Sequence, residues 1–181
     1  KLGIQGVWRG KNKQTTRSRD DQKRADDLVK RNFNADHPDQ LWVADFTYIQ
    51  THSGWVYTAF IIDVFSRAIV GWKVSTRMNT DMVLDALEQA LHDRGMPKNV
   101  IHHSDRGVQY LSIRYTNRLE AANLRASVGT TGDSYDNALA ETVNGLYKTE
   151  VIEYLKADWQ GLADVQLATL NWVDWFNKER V

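Results

Sequence analysis

Asp45, Asp105, Glu141 and Lys148 are the side chains of this sequence whose types and spacing could share one piece of chemistry. Asp45 lies inside the apolar run LWVADFTYIQ (41–50), next to Val43, Ala44 and Phe46. A carboxylate there needs a partner, because a lone buried charge costs several kcal/mol or takes up a proton. Asp105 follows His102-His103-Ser104 and precedes Arg106-Gly107, where the chain turns. Thirty-five residues separate Asp105 from Glu141, and Lys148 follows Glu141 by seven, two helical turns on and on the same face. Singly, each has an ordinary explanation: a salt bridge or strand-end hydrogen bond for Asp45, a favourable acid at a helix N-terminus for Glu141, an exposed helix lysine for Lys148. As a set they are harder to dismiss. Carboxylates in contact repel one another unless a cation lies between them. Oxygen ligands without sulfur or a histidine cluster favour Mg²⁺ or Mn²⁺.

The elements around these residues can be read from hydrophobic pattern. Residues 41–50 and 55–63 (WVYTAFIID) read as strands joined by a turn at 51–54, and 68–75 (AIVGWKVS) as a third strand, so the three form an antiparallel meander. The near-continuous apolar runs fit strands covered on both faces. Thr80 reads as the N-cap of a helix that carries Met82, Leu84, Ala86, Leu87, Ala90 and Leu91 and ends near Gly95-Met96-Pro97. A strand at 100–104, a helix at 115–122, a strand at 124–128, a polar loop at 129–137 and helices at 138–156 and 162–177 complete the order. The order β-β-β-α-β-α-β-α-α predicts an α/β domain with a mixed five-stranded sheet, three antiparallel strands then two parallel, and helices on both faces. It is the element order of the ribonuclease H-like fold. If the first and fourth strands are parallel neighbours, Asp45 and Asp105 meet at their carboxyl ends, where ligand sites of open α/β sheets gather.

Charge divides the chain. The 181 residues carry 23 basic and 23 acidic side chains, yet residues 1–34 hold ten basic and four acidic ones, a net +6 against −6 for the rest. We therefore expect a basic arm over 1–36, with a short helix around 20–32 and a taste for polyanions, and a globular core over 37–181 that opens at His37-Pro38-Asp39-Gln40. With no cysteine, a disulfide framework, a thiolate metal site and a cysteine nucleophile are excluded. No apolar run approaches the roughly 20 residues of a membrane span, and residues 1–19 have no apolar signal-peptide core, so a soluble cytoplasmic protein is expected. His102 and His103, adjacent on a strand, should face opposite ways and so not form a joint metal site. Asp63 reads as a turn residue, Asp133 and Asp136 as loop and cap residues, and most tryptophans as core.

Four segments carry a resemblance: LWVADFTYI around Asp45, VFSRAIVGW at 64–72, HHSDRGVQY around Asp105, and GDSYDNALAETVNGLYKTEVI around Glu141 and Lys148. They resemble the catalytic core of DDE transposases and retroviral-type integrases. More closely, they are similar to the OrfB-type transposases of the insertion-sequence-three family of bacterial mobile elements, over about Gly6 to Arg180. The resemblance implies a metal-dependent DNA transposase with an endonuclease step. Asp45 would bridge two Mg²⁺ or Mn²⁺ ions, with Asp105 and Glu141 each completing one. A water-derived nucleophile would cut a strand at the element end, and the freed 3′-hydroxyl would attack another phosphodiester. In this family the first transfer joins both ends on one strand, giving a circle that later integrates. Lys148 and Arg106 would hold backbone phosphates, and Tyr135 and Asn137 would touch DNA from the 129–137 loop. The implied partners are element ends, target DNA and further copies of the chain, in a homodimer or larger assembly in the bacterial cytoplasm, with no membrane. The family pattern has a helical DNA-binding region upstream and a segment beyond the last helix, so the resemblance implies a core truncated at its C-terminus.

Three rivals stay open on sequence alone. One is a plain nuclease on the same fold, against which the lysine and the 35-residue spacing speak. Another is half of an actin-like or sugar-kinase ATPase, which needs a glycine-rich phosphate loop that Asp45-Phe46-Thr47 lacks. The last is a non-catalytic DNA-binding or assembly module, against which three intact carboxylates argue.

Overall fold

The computed structural model describes residues 25–129, 137–155 and 158–180. Strands β1 (Leu41–Thr51), β2 (Gly54–Asp63) and β3 (Ile69–Ser75) precede helix α1 (Thr80–Asp93). Strand β4 (Ile101–Ser104), helix α2 (Ile113–Ala121), strand β5 (Arg125–Val128) and helices α3 (Ala138–Tyr147) and α4 (Leu162–Trp175) follow. The expected order is the observed one. The sheet runs β3-β2-β1-β4-β5, with β1, β2 and β3 antiparallel and β4 and β5 parallel to β1.

Period-two alternation sorts β1 onto two cores. Val43 and Ile49 join Phe60, Val143, Tyr147 and Trp172 beneath α3 and α4, while Trp42 and Ala44 join Ile61, Leu87, Leu91 and Tyr115 beneath α1 and α2. Trp42, Val43 and Ala44 all have 0% exposure, as a strand covered on both faces requires. The free edge of β3 is closed by side chains. Gln89 accepts from Trp72 N, and Asn177 both accepts from Ile69 N and donates to Ile69 O, which blunts a template for strand addition.

Helix α1 lies so close to β3 that Gly71 has no room for a side chain. A Cβ there would meet the Ala86 carbonyl oxygen at 2.2 Å and the Ala90 methyl at 2.9 Å. We expect Gly71→Ala to lower stability by about 1–3 kcal/mol and Tm by roughly 3–10 °C, because backbone rather than a side-chain tip must move. A melting curve superimposable on the wild type would show that α1 shifts without cost.

Several local expectations need correction. The cap of α1 is Asn79, whose side chain accepts from Met82 N at 3.2 Å, and Thr80 is the first helical residue. Both types cap well; the extended backbone of Asn79 decides between them. No helix forms over the described part of 20–32. Asp27 instead bonds the amides of Val29 and Lys30, and Lys30 and Arg31 take positive φ, a side-chain-closed turn that competes with helix. The same stretch is built into the core rather than the arm: Val29 is buried, Leu28 N donates to Ser127 Oγ, and Phe33 packs edge-on to His103. The long helix expected over 138–156 changes pitch, α3 passing into a π-helical turn over Lys148–Glu153. The charged residues at 1–19 lie outside the described residues.

Candidate active site

The strand register builds the site. Ladder pairing of β1 with β4 ends at Ala44 opposite Ser104, so Asp45 and Asp105 are the next residues on two adjacent parallel strands, at the sheet's carboxyl end. Asp45 accepts from Phe46 N at 2.8 Å and from Asn144 Nδ2 at 2.9 Å. Its pKa is nonetheless pushed up to about 7, first by burial, then by the charge of Asp105, with a smaller push from Glu141. Asp105 is also raised, chiefly by desolvation of its carboxyl, against the lowering pull of the Gly107 amide and His103. Gly107 N donates to Asp105 Oδ1 at 2.9 Å, and a Cβ on Gly107 would stand 2.9 Å from that oxygen, so glycine lets the turn fold onto the carboxylate.

Helix α3 supplies the rest. Glu141 is exposed in its first turn, and Lys148 is half-buried at its end. Burial lowers the pKa of Lys148, while Glu153 and Asp45 raise it. Lys148 Nζ sits 4.6 Å from the centre of the Tyr48 ring. Asp105, Glu141 and Lys148 are thus each electrostatically linked to Asp45. Among the described residues, however, no three His, Cys, Asp or Glu side chains converge closely enough to make a ready cage for a metal ion. The fit lies in the donor set. Asp45 and Asp105 offer carboxylate oxygens whose repulsion a divalent cation would relieve, and the exposed Glu141 would add a third donor.

Asparagines hold this arrangement. Asn137, at the N-cap of α3, is buried and donates Nδ2 to the Ala44 carbonyl at 2.9 Å. Two turns later, Asn144 donates to Asp45. The pair clamps α3 along β1 on either side of the peptide that carries Asp45. Asn137 is expected among the DNA contacts; here its Nδ2 is committed to β1, which makes it a positioning residue. Asn144 is absent from the residues that the sequence singles out, although its seven-residue spacing from Asn137, parallel to Glu141 and Lys148, is a signal that could have found it. Tyr110 is a second such residue. It is buried, and both Asp45 and Asp105 help keep its phenol protonated.

The other candidates fall as follows. Arg106 Nε donates to the Gly129 carbonyl at 2.8 Å, beside the segment that holds Tyr135, Asp133 and Asp136, which lies outside the described residues. Asp63 is a buried turn residue, accepting from Asp39 N and from Ser66 N and Oγ. His103 Nδ1 meets Ser127 Oγ at 2.8 Å, and His102 Nε2 meets the Tyr115 hydroxyl at 3.0 Å on the opposite face of the sheet. Trp42 and Trp172 are core, but Trp55 and Trp175 are exposed.

His102 makes stability depend on pH. Burial first, and His103 beside it second, push its pKa down to about 4 from the ordinary 6.5. Unfolded chains take up this proton below pH 6.5 and folded ones only near pH 4. The fold is thus at full strength above pH 6.5 and weakens as pH falls toward 4, by about 2 kcal/mol between pH 8 and pH 5. We expect His102→Gln to remove this part of the pH dependence in urea titrations at the two pH values. Parallel losses in both proteins would assign the dependence elsewhere.

Comparison with known proteins places this geometry. Integrase core domain models match residues 35–134 and 122–181. The transposase for insertion sequence element IS629 of Shigella sonnei is 58% identical over 180 residues, covering 99% of this chain and 60% of that protein. The putative transposase for IS986/IS6110 of Mycobacterium tuberculosis is 52% identical, over 100% of this chain and 66% of its own length. This chain thus spans three-fifths to two-thirds of these relatives. The HTLV-2 integrase catalytic core domain, solved in complex with magnesium, superposes with a TM-score of 0.61 at 19% identity, covering 79% of this chain and 87% of that one. A simian T-cell lymphotropic virus intasome chain gives 0.68 at 17% identity over 88% and 54% of the two chains. The architecture is the expected ribonuclease H-like one. The chain belongs to the integrase core domain family.

Proposed function

We propose that this chain is the catalytic core of an insertion-element transposase that cuts and joins DNA strands with the aid of bound divalent cations. The observation that carries the proposal is the register that ends β1–β4 pairing one residue before Asp45 and Asp105, with Glu141 on α3 and Lys148 just after it both within the electrostatic field of Asp45. Asp45, Asp105 and Glu141 would hold Mg²⁺ or Mn²⁺, two ions in the active complex, and these supply Lewis acidity for in-line displacement at phosphorus.

The chain's own residues do the rest. Phe46 N–H and Asn144 fix the Asp45 carboxylate, and Gly107 N–H fixes that of Asp105. Lys148 neutralises a backbone phosphate beside them. Water adds to the scissile phosphorus as the bond to the 3′-oxygen breaks, leaving a 3′-hydroxyl and a 5′-phosphate. That hydroxyl then attacks a second phosphodiester, forming one bond and breaking one, so no covalent link to protein and no external energy source are needed. The basic residues at 1–19 would add sequence-independent DNA affinity, Arg106 and Tyr135 would also touch DNA, and a pair of element ends calls for at least a dimer in the bacterial cytoplasm.

The test is a Mn²⁺-dependent assay on labelled element ends. Nicking followed by strand-transfer products is the expected result. Nicking without joining would favour a plain nuclease, and neither product would overturn the proposal.

A further inference from the structure

A row of aromatic rings runs along one face of β1 and β2, opposite the α3 face on which Asp45 meets Asn144. Tyr110, beside Asp45 and Asp105, packs on Phe46 with ring centres 6.2 Å apart. Tyr48 is the next residue on the same face of β1, and Trp55 lies diagonally across the hairpin from it, opposite Gln50. Their rings meet edge to face at 5.3 Å and 82°. The row passes from buried at Tyr110 to half exposed at its outer end, where Tyr48 and Trp55 each keep 49% of their surface open. Hairpin stability alone explains a cross-strand pair, but not its coupling to the site.

That coupling comes through Lys148. It follows directly on α3, whose buried residues pack on the opposite face of the sheet, with Val43 and Ile49. Its ammonium still reaches the Tyr48 ring. It can do so because β4 ends at Ser104, leaving the β4 side of β1 without a neighbouring strand beyond Ala44. One cation therefore touches the exposed Tyr48 ring while lying within the electrostatic field of Asp45. A phosphate taken by Lys148 would put the neighbouring nucleotide over Trp55, since Lys148 already covers a face of Tyr48.

We propose that Trp55, braced edge-on by Tyr48, is a stacking platform for one unpaired base of the DNA strand whose phosphate Lys148 holds. Every base has a π face, so the contact is indifferent to sequence and favours ends that are frayed or already single-stranded. The inference rests on the strand-transfer reading for its setting, but its test does not depend on chemistry.

The full chain is mixed, without divalent metal, with a short duplex bearing a single-stranded 3′ extension, and 2-aminopurine is placed in turn at each unpaired position. Quenching concentrated at one position is expected in the wild type. Trp55→Ala and Trp55→Leu should lose it and bind the extension about tenfold more weakly, whereas Trp55→Phe should keep it. The leucine variant preserves apolar cover on the hairpin, so its loss of quenching separates stacking from hairpin support. Quenching that is absent or evenly spread in the wild type, or unchanged in the leucine variant, overturns the inference. Failure of the strand-transfer reading would appear separately, as absent Mn²⁺-dependent cutting while the quenching persists.

Discussion

Asp45→Asn, Asp105→Asn and Glu141→Gln are each expected to lower DNA nicking and joining by about 10³-fold or more while the fold survives. Each removes a ligand charge from a site whose electrostatic stabilisation of the transition state is worth several kcal/mol. The stability data should move the other way for Asp45→Asn. Asp45 and Asp105 follow the last β1–β4 pair side by side, and each is raised by burial. Neutralising one removes a facing charge, which should raise Tm in metal-free buffer by roughly 3–6 °C, equivalent to about 1–2 kcal/mol. The Asn144 amide can turn to suit the new partner, since its Oδ1 is buried without a hydrogen bond. Millimolar Mn²⁺ should raise the wild-type Tm, by about 1.4 kcal/mol of stabilisation at ten times Kd, and should do little to Asp45→Asn. Activity near wild type in any variant would remove that residue from the site. A fall in Tm for Asp45→Asn would mean that the carboxylate is a net support of the fold.

This opposition of stability and function explains which parts of the molecule are legible in the sequence. Strands β1 to β3 are legible because burial on both faces demands long apolar runs, and Asp45 stands out because it interrupts one. The parallel placement of β1 and β4 follows from element order, and with it the meeting of Asp45 and Asp105. What holds those carboxylates is not legible. The seven-residue spacing of Asn137 and Asn144 puts them on one helical face, but only the docking of α3 on β1 reveals that both point at the peptide of Asp45. Residues 25–36 mislead for a related reason. Leu28, Val29 and Phe33 are few and set among charges, so the stretch has no period, yet Val29 and Phe33 find cover beside β4 and β5 once the sheet exists. The π-helical turn at Lys148 leaves no mark in sequence, although it begins at the residue that matters.

Lys148→Ala should separate chemistry from DNA holding. Its ammonium lies within the field of Asp45, on the open side of β1, so it should act at the scissile phosphate rather than along the duplex. Residues 1–19, by contrast, carry six basic residues and no acid, and charges of that kind bind any phosphate. Removing the arm should weaken DNA affinity and flatten its dependence on salt, by up to about 0.9 in slope for each phosphate that the arm neutralises. Low salt or excess DNA should largely restore its turnover. Lys148→Ala should behave differently, remaining about 10²-fold slow at saturating DNA while its Mn²⁺-induced rise in Tm is retained, because the carboxylates are intact. Lys148→Arg should recover part of the rate, since a guanidinium can also sit on the Tyr48 ring and hold a phosphate. Full rescue of Lys148→Ala by saturating DNA would make the lysine one more surface charge, and its position beside Asp45 would then serve the fold rather than the reaction.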